Sequence, residues 1–300
     1  MTKKIIIGTR GSKLALLQTN MVMEELKKIY QKLEVEVKII KTTGDRILDK
    51  SLSEIGGKGL FIAEIESALS TGEIDIAVHS MKDVQNTVDP KFRILTALKR
   101  EDPRDAFISR DNKTLLNLPS GAMVGTGSLR RIVQIKNIRP DLLFKPLRGN
   151  VDTRIKKLEN DEVDAIVLAA AGLKRMGLQN RISEYLDTKS CTPSVGQGAL
   201  CLEIREKDQV IFNLVKPLVN ETDLRCVSAE RAFLKEMDGG CTIAIGAYAV
   251  ETGGQIKLEG FVCDDNNEVI FRDQISGKSE EYENIGIQLG KKLKLKKAGE

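Results

Sequence analysis

The sequence predicts an α/β protein: two lobes of like plan with mainly parallel sheets, then a small α+β domain with a three-stranded antiparallel sheet. Three observations predict it. Short apolar runs alternate with helix-period segments as far as Arg205, the pattern of a parallel sheet with crossover helices. Two landmarks recur in the same order. Gly8-Thr9-Arg10-Gly11-Ser12 is echoed by Gly125-Thr126-Gly127-Ser128, and Glu73-Ile74-Asp75-Ile76-Ala77-Val78 by Glu162-Val163-Asp164-Ala165-Ile166-Val167. Beyond residue 220 the pattern changes to one helix, three strand-like runs and a final helix. A length of 300 residues exceeds one ordinary domain. The expected division is 1–99 with 197–216 for the first lobe, 104–192 for the second and 220–300 for the third domain.

In the first lobe, Lys4-Ile5-Ile6-Ile7 reads as a buried strand. A helix follows from Lys13 to Tyr30, with Leu14, Leu17, Met21 and Leu26 on one face and Ser12 as N-cap. Strand, glycine turn and helix N-terminus together make an anion site, and Arg10 sits in that turn. A strand over Glu34 to Lys41 comes next. Thr42 to Lys58 is polar, carries Gly44, Gly56 and Gly57, and reads as a mobile loop or lid. A helix over Gly59 to Ser70 and a strand over Glu73 to Val78 lead into His79-Ser80-Met81-Lys82-Asp83-Val84.

The second lobe repeats this plan. Ala122-Met123-Val124 enters the second glycine turn, and a helix opens with Arg130 and Arg131 in its first turn. A strand over Leu142 to Leu147 ends at Arg148-Gly149-Asn150, a helix carries Arg154, and Arg175 follows the strand that ends near Val167. Arg100 to Arg104 is the expected hinge, and Thr192 to Gly198 the second crossing. The strand Ala199 to Arg205 is expected to return to the first sheet.

In the third domain, a helix from Asp223 to Met237 ends at Asp238-Gly239-Gly240-Cys241-Thr242. Strands over Ile243 to Glu251, Gln255 to Cys263 and Glu268 to Ile275 follow, joined by Gly253-Gly254 and by Asp264 to Asn267. The last helix, Ser279 to Lys297, is lysine-rich at its C-terminal end, which suits the helix dipole. Two glycines before Cys241 leave its thiol uncovered, and a thiolate is a strong carbon nucleophile. A helix C-cap followed by a small buried residue is the competing reading.

Composition narrows the function. Lys+Arg 47 against Asp+Glu 43 gives a net charge of only +4, and aromatics are 4% with no tryptophan. Bulk charge and stacking platforms therefore do not point to nucleic acid. Five scattered cysteines and one histidine, His79, supply no zinc spacing. Reduced thiols in a cytoplasmic protein fit best. No apolar run is long enough to span a bilayer, and no secretory signal is expected.

In open α/β sheets ligands bind beyond the carboxyl ends of the strands. Arg10, Asp83, Arg130, Arg131, Arg148 and Arg175 lie just past predicted strand ends, with Arg154 one turn into a helix, so a common cleft is expected. Arginine forks suit carboxylates or phosphates, and so many of them point to a polyanionic ligand. Asp83, one acid among bases, could stabilise a cationic intermediate or shuttle a proton. A non-catalytic two-lobed anion receptor would use the same arginines but would need neither Cys241 nor Asp83.

The sequence resembles the porphobilinogen deaminase family of tetrapyrrole and heme biosynthesis. The resemblance rests on Gly8 to Leu16, Gly57-Lys58-Gly59-Leu60-Phe61, Val78 to Val84, Gly125 to Arg131, Arg148 to Arg154, Gly196-Gln197-Gly198 and Gly240-Cys241. These pieces run nearly the full length, in order. The resemblance implies two lobes like those of periplasmic binding proteins. It implies a transferase with one dipyrromethane cofactor per chain, bound covalently to Cys241 by a thioether. Four porphobilinogen molecules would be joined head to tail, with ammonia released at each step, and hydrolysis would free hydroxymethylbilane. Asp83 would stabilise the positive pyrrole nitrogen of the azafulvene left by loss of ammonia. A six-ring chain carries twelve carboxylates, and the resemblance assigns them to Arg10, Arg130, Arg131, Arg148, Arg154 and Arg175. Ser12, Ser80, Lys82, Thr126 and Ser128 would assist, and Lys58 and Phe61 would belong to the lid. Arg131 and Arg154 are expected to act on the cofactor, Arg10 and Arg175 on incoming substrate or the growing oligopyrrole. Neither metal nor nucleotide is needed, and a monomer is expected.

Overall fold

The computed structural model describes residues 4–42, 62–237 and 243–299. The chain begins with β1 (Ile5–Thr9), α1 (Lys13–Ile29), β2 (Val35–Ile39), α2 (Ala63–Ser70), β3 (Ile76–Ser80) and β4 (Phe92–Ala97). It continues through β5 (Asp105–Ser109), β6 (Met123–Gly125), α3 (Leu129–Ile138), β7 (Leu143–Lys145), α4 (Val151–Glu159), β8 (Ala165–Ala169), α5 (Ala170–Arg175) and β9 (Glu184–Leu186). Then come β10 (Leu200–Arg205), α6 (Gln209–Val215), α7 (Glu221–Glu236), β11 (Ile245–Thr252), β12 (Gln255–Cys263), β13 (Ile270–Lys278) and α8 (Tyr282–Ala298). These elements form two compact units: Met1–Arg100 with Ala199–Leu224, and Glu101–Gly198 with Arg225–Glu300.

The first unit holds a sheet in the order β2-β1-β3-β10-β4. β1 is parallel to β2 and β3, while β10 runs antiparallel to both β3 and β4. The strand from Leu200 thus joins the first sheet, as expected. Ile5, Ile7, Ile76, Val78, Leu202 and Ile204 are buried, the near-continuous apolar strands of a sheet covered on both faces. α1 is rotated from the expected face. Val22 and Leu26 are fully buried together with Gln18 and Thr19, whereas Met21 is exposed. The two polar residues are buried because they find partners: Thr19 Oγ1 donates to the Ala15 carbonyl at 3.0 Å and Gln18 Nε2 to Ser80 Oγ at 2.9 Å.

The second unit contains the matching sheet, in the order β7-β6-β8-β5-β9. Here β6 is parallel to β7 and β8, and β5 is the antiparallel strand between β8 and β9. Each five-stranded sheet therefore has one reversed strand in the same place, so the duplication extends to topology. Both glycine turns are also tightly packed, against different segments. A Cβ on Gly8 would lie 2.3 Å from Ile74 Cδ1, and one on Gly125 would lie 2.3 Å from Leu147 Cδ1. At each strand end a side chain flanking another strand of the same sheet approaches too closely for a Cβ to fit without a shift.

The same unit carries the three-stranded antiparallel sheet β11-β12-β13. Its inner face packs on α7 and α8 through Phe233, Ala247, Ile256, Leu258, Leu289 and Leu293. Arg272 of β13 bridges to α3 and to the segment after β9. Its guanidinium donates to Thr192 Oγ1 at 2.7 Å and Gln134 Oε1 at 2.7 Å, and lies 5.0 Å from the Phe261 ring centre. No described helix is long and apolar enough to cross a membrane.

Candidate active site

Each glycine turn is built from residues that satisfy the ends of a helix. Ser12 caps α1, accepting from the Ala15 backbone N–H at 3.3 Å, and Thr9 is fully buried behind it. In the second unit Thr126, 1% exposed, accepts from the Ser128 N–H at 3.2 Å. Ser128 holds the N-cap position of α3 without a side-chain cap bond. Arg10 follows β1 and is half-buried.

β3 ends in a single 3-10 turn, Met81–Asp83. The turn is fixed at its base, since the Met81 N–H donates to the Ala199 carbonyl at 3.0 Å and Met81 is buried. Ser80 is tied to Gln18 of α1. Lys82 is half-buried and Asp83 is exposed. A carboxylate is thus presented to solvent on backbone that the sheet holds in place.

In the second unit the predicted arginines fall into two kinds. Arg148, after β7, and Arg154, in the first turns of α4, are half-buried, with Arg154 Nε donating to the Gly149 carbonyl at 2.8 Å. Arg130 and Arg131 are different: both are buried, 7% and 5% exposed, in the first turn of α3. They share Asp105, the first residue of β5, which is fully buried. Arg130 Nη2 reaches Asp105 Oδ2 at 2.7 Å, and Arg131 Nη2 reaches Oδ1 at 2.7 Å. Arg130 also donates to the Thr192 carbonyl at 2.6 Å and Arg131 to the Val167 carbonyl at 2.9 Å. Burial opposes ionisation of Asp105, but the two guanidinium groups outweigh it and hold the carboxyl well below the usual carboxylate range. Two cations against one anion leave a buried net positive charge.

The crossing Thr192 to Gly198 is pinned to this cluster. Gln197 Nε2 donates to the Pro103 carbonyl at 2.7 Å and to Asp105 Oδ1 at 3.0 Å. Buried Glu230 of α7 accepts from the Gly196 N–H at 2.7 Å and the Ala249 N–H at 2.9 Å. Arg175 Nη2 donates to the Gly198 carbonyl at 2.6 Å. Gly198 has φ +92, and a Cβ there would lie 2.2 Å from the Glu101 carbonyl oxygen, so only glycine fits. Burial pulls the Arg175 guanidinium down to about 10, with Glu101 opposing, so it stays charged at neutral pH.

The four described cysteines, Cys191, Cys201, Cys226 and Cys263, are all buried. Burial pushes Cys191 up to about 12 and Cys263 to about 11. Neither is a thiolate at neutral pH. Cys241, Lys58, Phe61 and the lid beyond Thr42 lie outside the described residues. Among the described residues no group of three acidic, histidine or cysteine side chains could hold a metal ion.

Sequence reasoning missed Asp105 and Glu230, and gave Gln197 a place in a motif but no structural role. Asp105 carried a signal: it opens the apolar run Ala106-Phe107-Ile108, and a charge at the head of a buried strand must be paired.

Comparison with known proteins gives the class and the family. Residues 5–213 match the model "Porphobilinogen deaminase, dipyromethane cofactor binding domain", and residues 224–295 match "Porphobilinogen deaminase, C-terminal domain". A porphobilinogen deaminase of Shouchella clausii is 50% identical over 293 residues, 97% of this chain and 92% of that protein. One of Alkaliphilus metalliredigens is 44% identical over 298 residues, 99% and 94% of the two. A YaeC-family lipoprotein structure from Enterococcus faecalis superposes loosely, with TM-score 0.45 and 14% identity, covering 73% of this chain and 91% of that one. The chain is a transferase, and it belongs to the porphobilinogen deaminase family.

Its first family domain is a dipyrromethane-binding one. The residues present fit such a group. Arg175 Nε is buried with no hydrogen-bond partner, and the Arg130–Arg131–Asp105 cluster retains an uncompensated positive charge. Both call for carboxylates, which a dipyrromethane carries.

Proposed function

We propose that the chain acts as a hydroxymethylbilane synthase: it condenses four porphobilinogen molecules head to tail, releases ammonia at each addition, and frees the linear tetrapyrrole by hydrolysis. When bound, the dipyrromethane supplies the free pyrrole carbon from which chain growth starts. Cys241 is its attachment point on this reading. The family motif Gly240-Cys241 supports this, and the four described cysteines, Cys191, Cys201, Cys226 and Cys263, are buried and so poorly placed to take that role.

The observation that carries the mechanism is Asp83, an exposed carboxylate on a turn fixed to β10. Loss of ammonia from an aminomethylpyrrole leaves positive charge on the ring nitrogen of the substrate. Asp83 stabilises that charge and holds the proton that moves between ring and leaving amine. Arg10, Arg148, Arg154 and Arg175 bind acetate and propionate groups, with Ser12, Ser80, Thr126 and Ser128 as hydroxyl partners. Arg130 and Arg131 act as a buried positive base rather than as free forks, because Asp105 occupies one side of each. Lys58 and Phe61 are assigned to a lid on sequence grounds. A cytoplasmic monomer acting on porphobilinogen, without nucleic acid or membrane, completes the reading.

Incubation with porphobilinogen tests it. Four ammonia molecules should appear for each linear tetrapyrrole released. Binding of porphobilinogen with no ammonia release would favour the anion-receptor alternative.

A further inference from the structure

The back of the first sheet holds a polar cluster that the reaction does not use directly. Register puts Cys201 opposite His79 and Glu203 opposite Ala77, so these four side chains share one face. α2 covers that face, its Ile65, Ala68 and Leu69 packing with Ala77. Ser80, one residue further along β3, turns to the other face and Gln18.

His79 Nε2 lies 3.0 Å from Glu203 Oε2, with the two side chains only 5% and 1% exposed. The other oxygen, Glu203 Oε1, is buried and has no hydrogen-bond donor. A buried acceptor left without a donor is costly and rare. Glu66 of α2 is in hydrogen-bonding reach of Glu203. A half-buried carboxylate against a fully buried one disfavours two negative charges, and one proton between them satisfies the orphan oxygen as well.

We propose that Glu66 is a carboxylic acid at neutral pH, donating its O–H to Glu203 Oε1, and that the Glu66–Glu203–His79 chain positions the Ser80–Asp83 turn from behind the sheet. The positioning half rests on Asp83 being the catalytic carboxylate. His79 immediately precedes Ser80, and β10 supplies both Glu203 and, just before its first residue, the Ala199 carbonyl that anchors Met81. The titratable groups facing Glu66 are Glu203 of β10, Asp89 before β4 and His79 of β3. Burial first, then Glu203 and Asp89, raise the Glu66 carboxyl above the usual glutamate range, while His79 opposes. The folded protein thus holds this proton more tightly than the unfolded chain. Its contribution is full below the ordinary glutamate range and is lost as pH rises through the raised value.

Infrared difference spectra of wild-type holoenzyme against Glu66→Gln test the proton. A carboxylic-acid carbonyl band at neutral pH should be present in wild type and missing in the variant. Kinetics test the positioning. Glu66→Gln keeps a donor for Glu203, so kcat at neutral pH should stay within about twofold and its fall at alkaline pH should move or vanish. Glu66→Ala leaves Glu203 Oε1 an orphan and should lose on the order of tenfold in kcat with KM little changed. Absence of the band overturns the shared proton. Glutamine and alanine variants of equal activity, or an unmoved pH profile in Glu66→Gln, overturn the positioning role. The band decides the proton whatever the turnover, so failure here and failure of the catalytic reading are told apart.

Discussion

Asp83→Asn is expected to abolish most turnover while leaving the fold intact. Asparagine keeps the size and hydrogen-bonding reach of the side chain and removes its charge. Asp83 is exposed on a turn held by the Met81–Ala199 backbone bond, so no buried partner is orphaned by the change. On the proposed mechanism the loss falls on the transition state, where positive charge would develop on the pyrrole nitrogen. Removing a single preorganised electrostatic group costs roughly a hundred- to a thousandfold in kcat, and a full charge costs at least as much. Steady-state rates of ammonia release in the variant check this. A variant within a few fold of wild type would remove Asp83 from the mechanism.

Asp105→Ala should produce the largest loss of stability. It strands two guanidinium groups, each under 10% exposed, with no counter-charge. Removing one partner of a buried ion pair costs about 3–5 kcal/mol. Gln197 would also lose an acceptor, so the Thr192 to Gly198 crossing should loosen with it. The pH dependence has a definite sign. The Asp105 carboxyl is depressed in the folded protein, so its contribution is present above the ordinary carboxylate range and is lost only as pH falls through the depressed value. Wild type should hold this share of its stability through mild acid. Asp105→Asn should lack it at every pH. Denaturant unfolding of the three proteins at neutral and acid pH measures the effect, and coincident curves would contradict it.

The duplicated scaffold was legible because its signals are local. A glycine turn after an apolar strand must lead to a helix start, and two such turns in order imply two sheets of one plan. The hairpins of the third domain were legible for the same reason, and Gln255–Cys263 forms a strand over the predicted span. β4, β5 and β9 were not read. Phe92–Ala97 alternates weakly, Asp105–Ser109 follows a segment taken as hinge, and Glu184–Leu186 is three residues long. All three gain their strand character from non-local pairing, which no short window contains. The rotation of α1 has a similar origin. Gln18 and Thr19 read as surface residues until Ser80, far along the chain, supplies a partner for Gln18.

The candidate site divides the same way. Asp83 and the half-buried Arg10, Arg148 and Arg154 sit at strand and helix ends, where motif and periodicity put them. Arg130 and Arg131 read as free forks because their sequence neighbourhood contains no acid. Their partner, Asp105, lies more than twenty residues upstream, across the sheet. Charge pairing across a sheet is invisible to spacing arguments, and here it buries both guanidinium groups against Asp105.

The most direct test of the central claim is the mass of the denatured, fully reduced protein. A thioether survives denaturation and reduction, whereas a disulfide or a metal thiolate does not. Wild type should weigh more than its sequence by one dipyrromethane, the adduct should map to Cys241, and limiting porphobilinogen should add a ladder of single deaminated units. Cys241→Ala should fold and carry neither adduct nor ladder. An active wild type of unmodified mass, or an adduct on Cys191, Cys201, Cys226 or Cys263, would contradict the account.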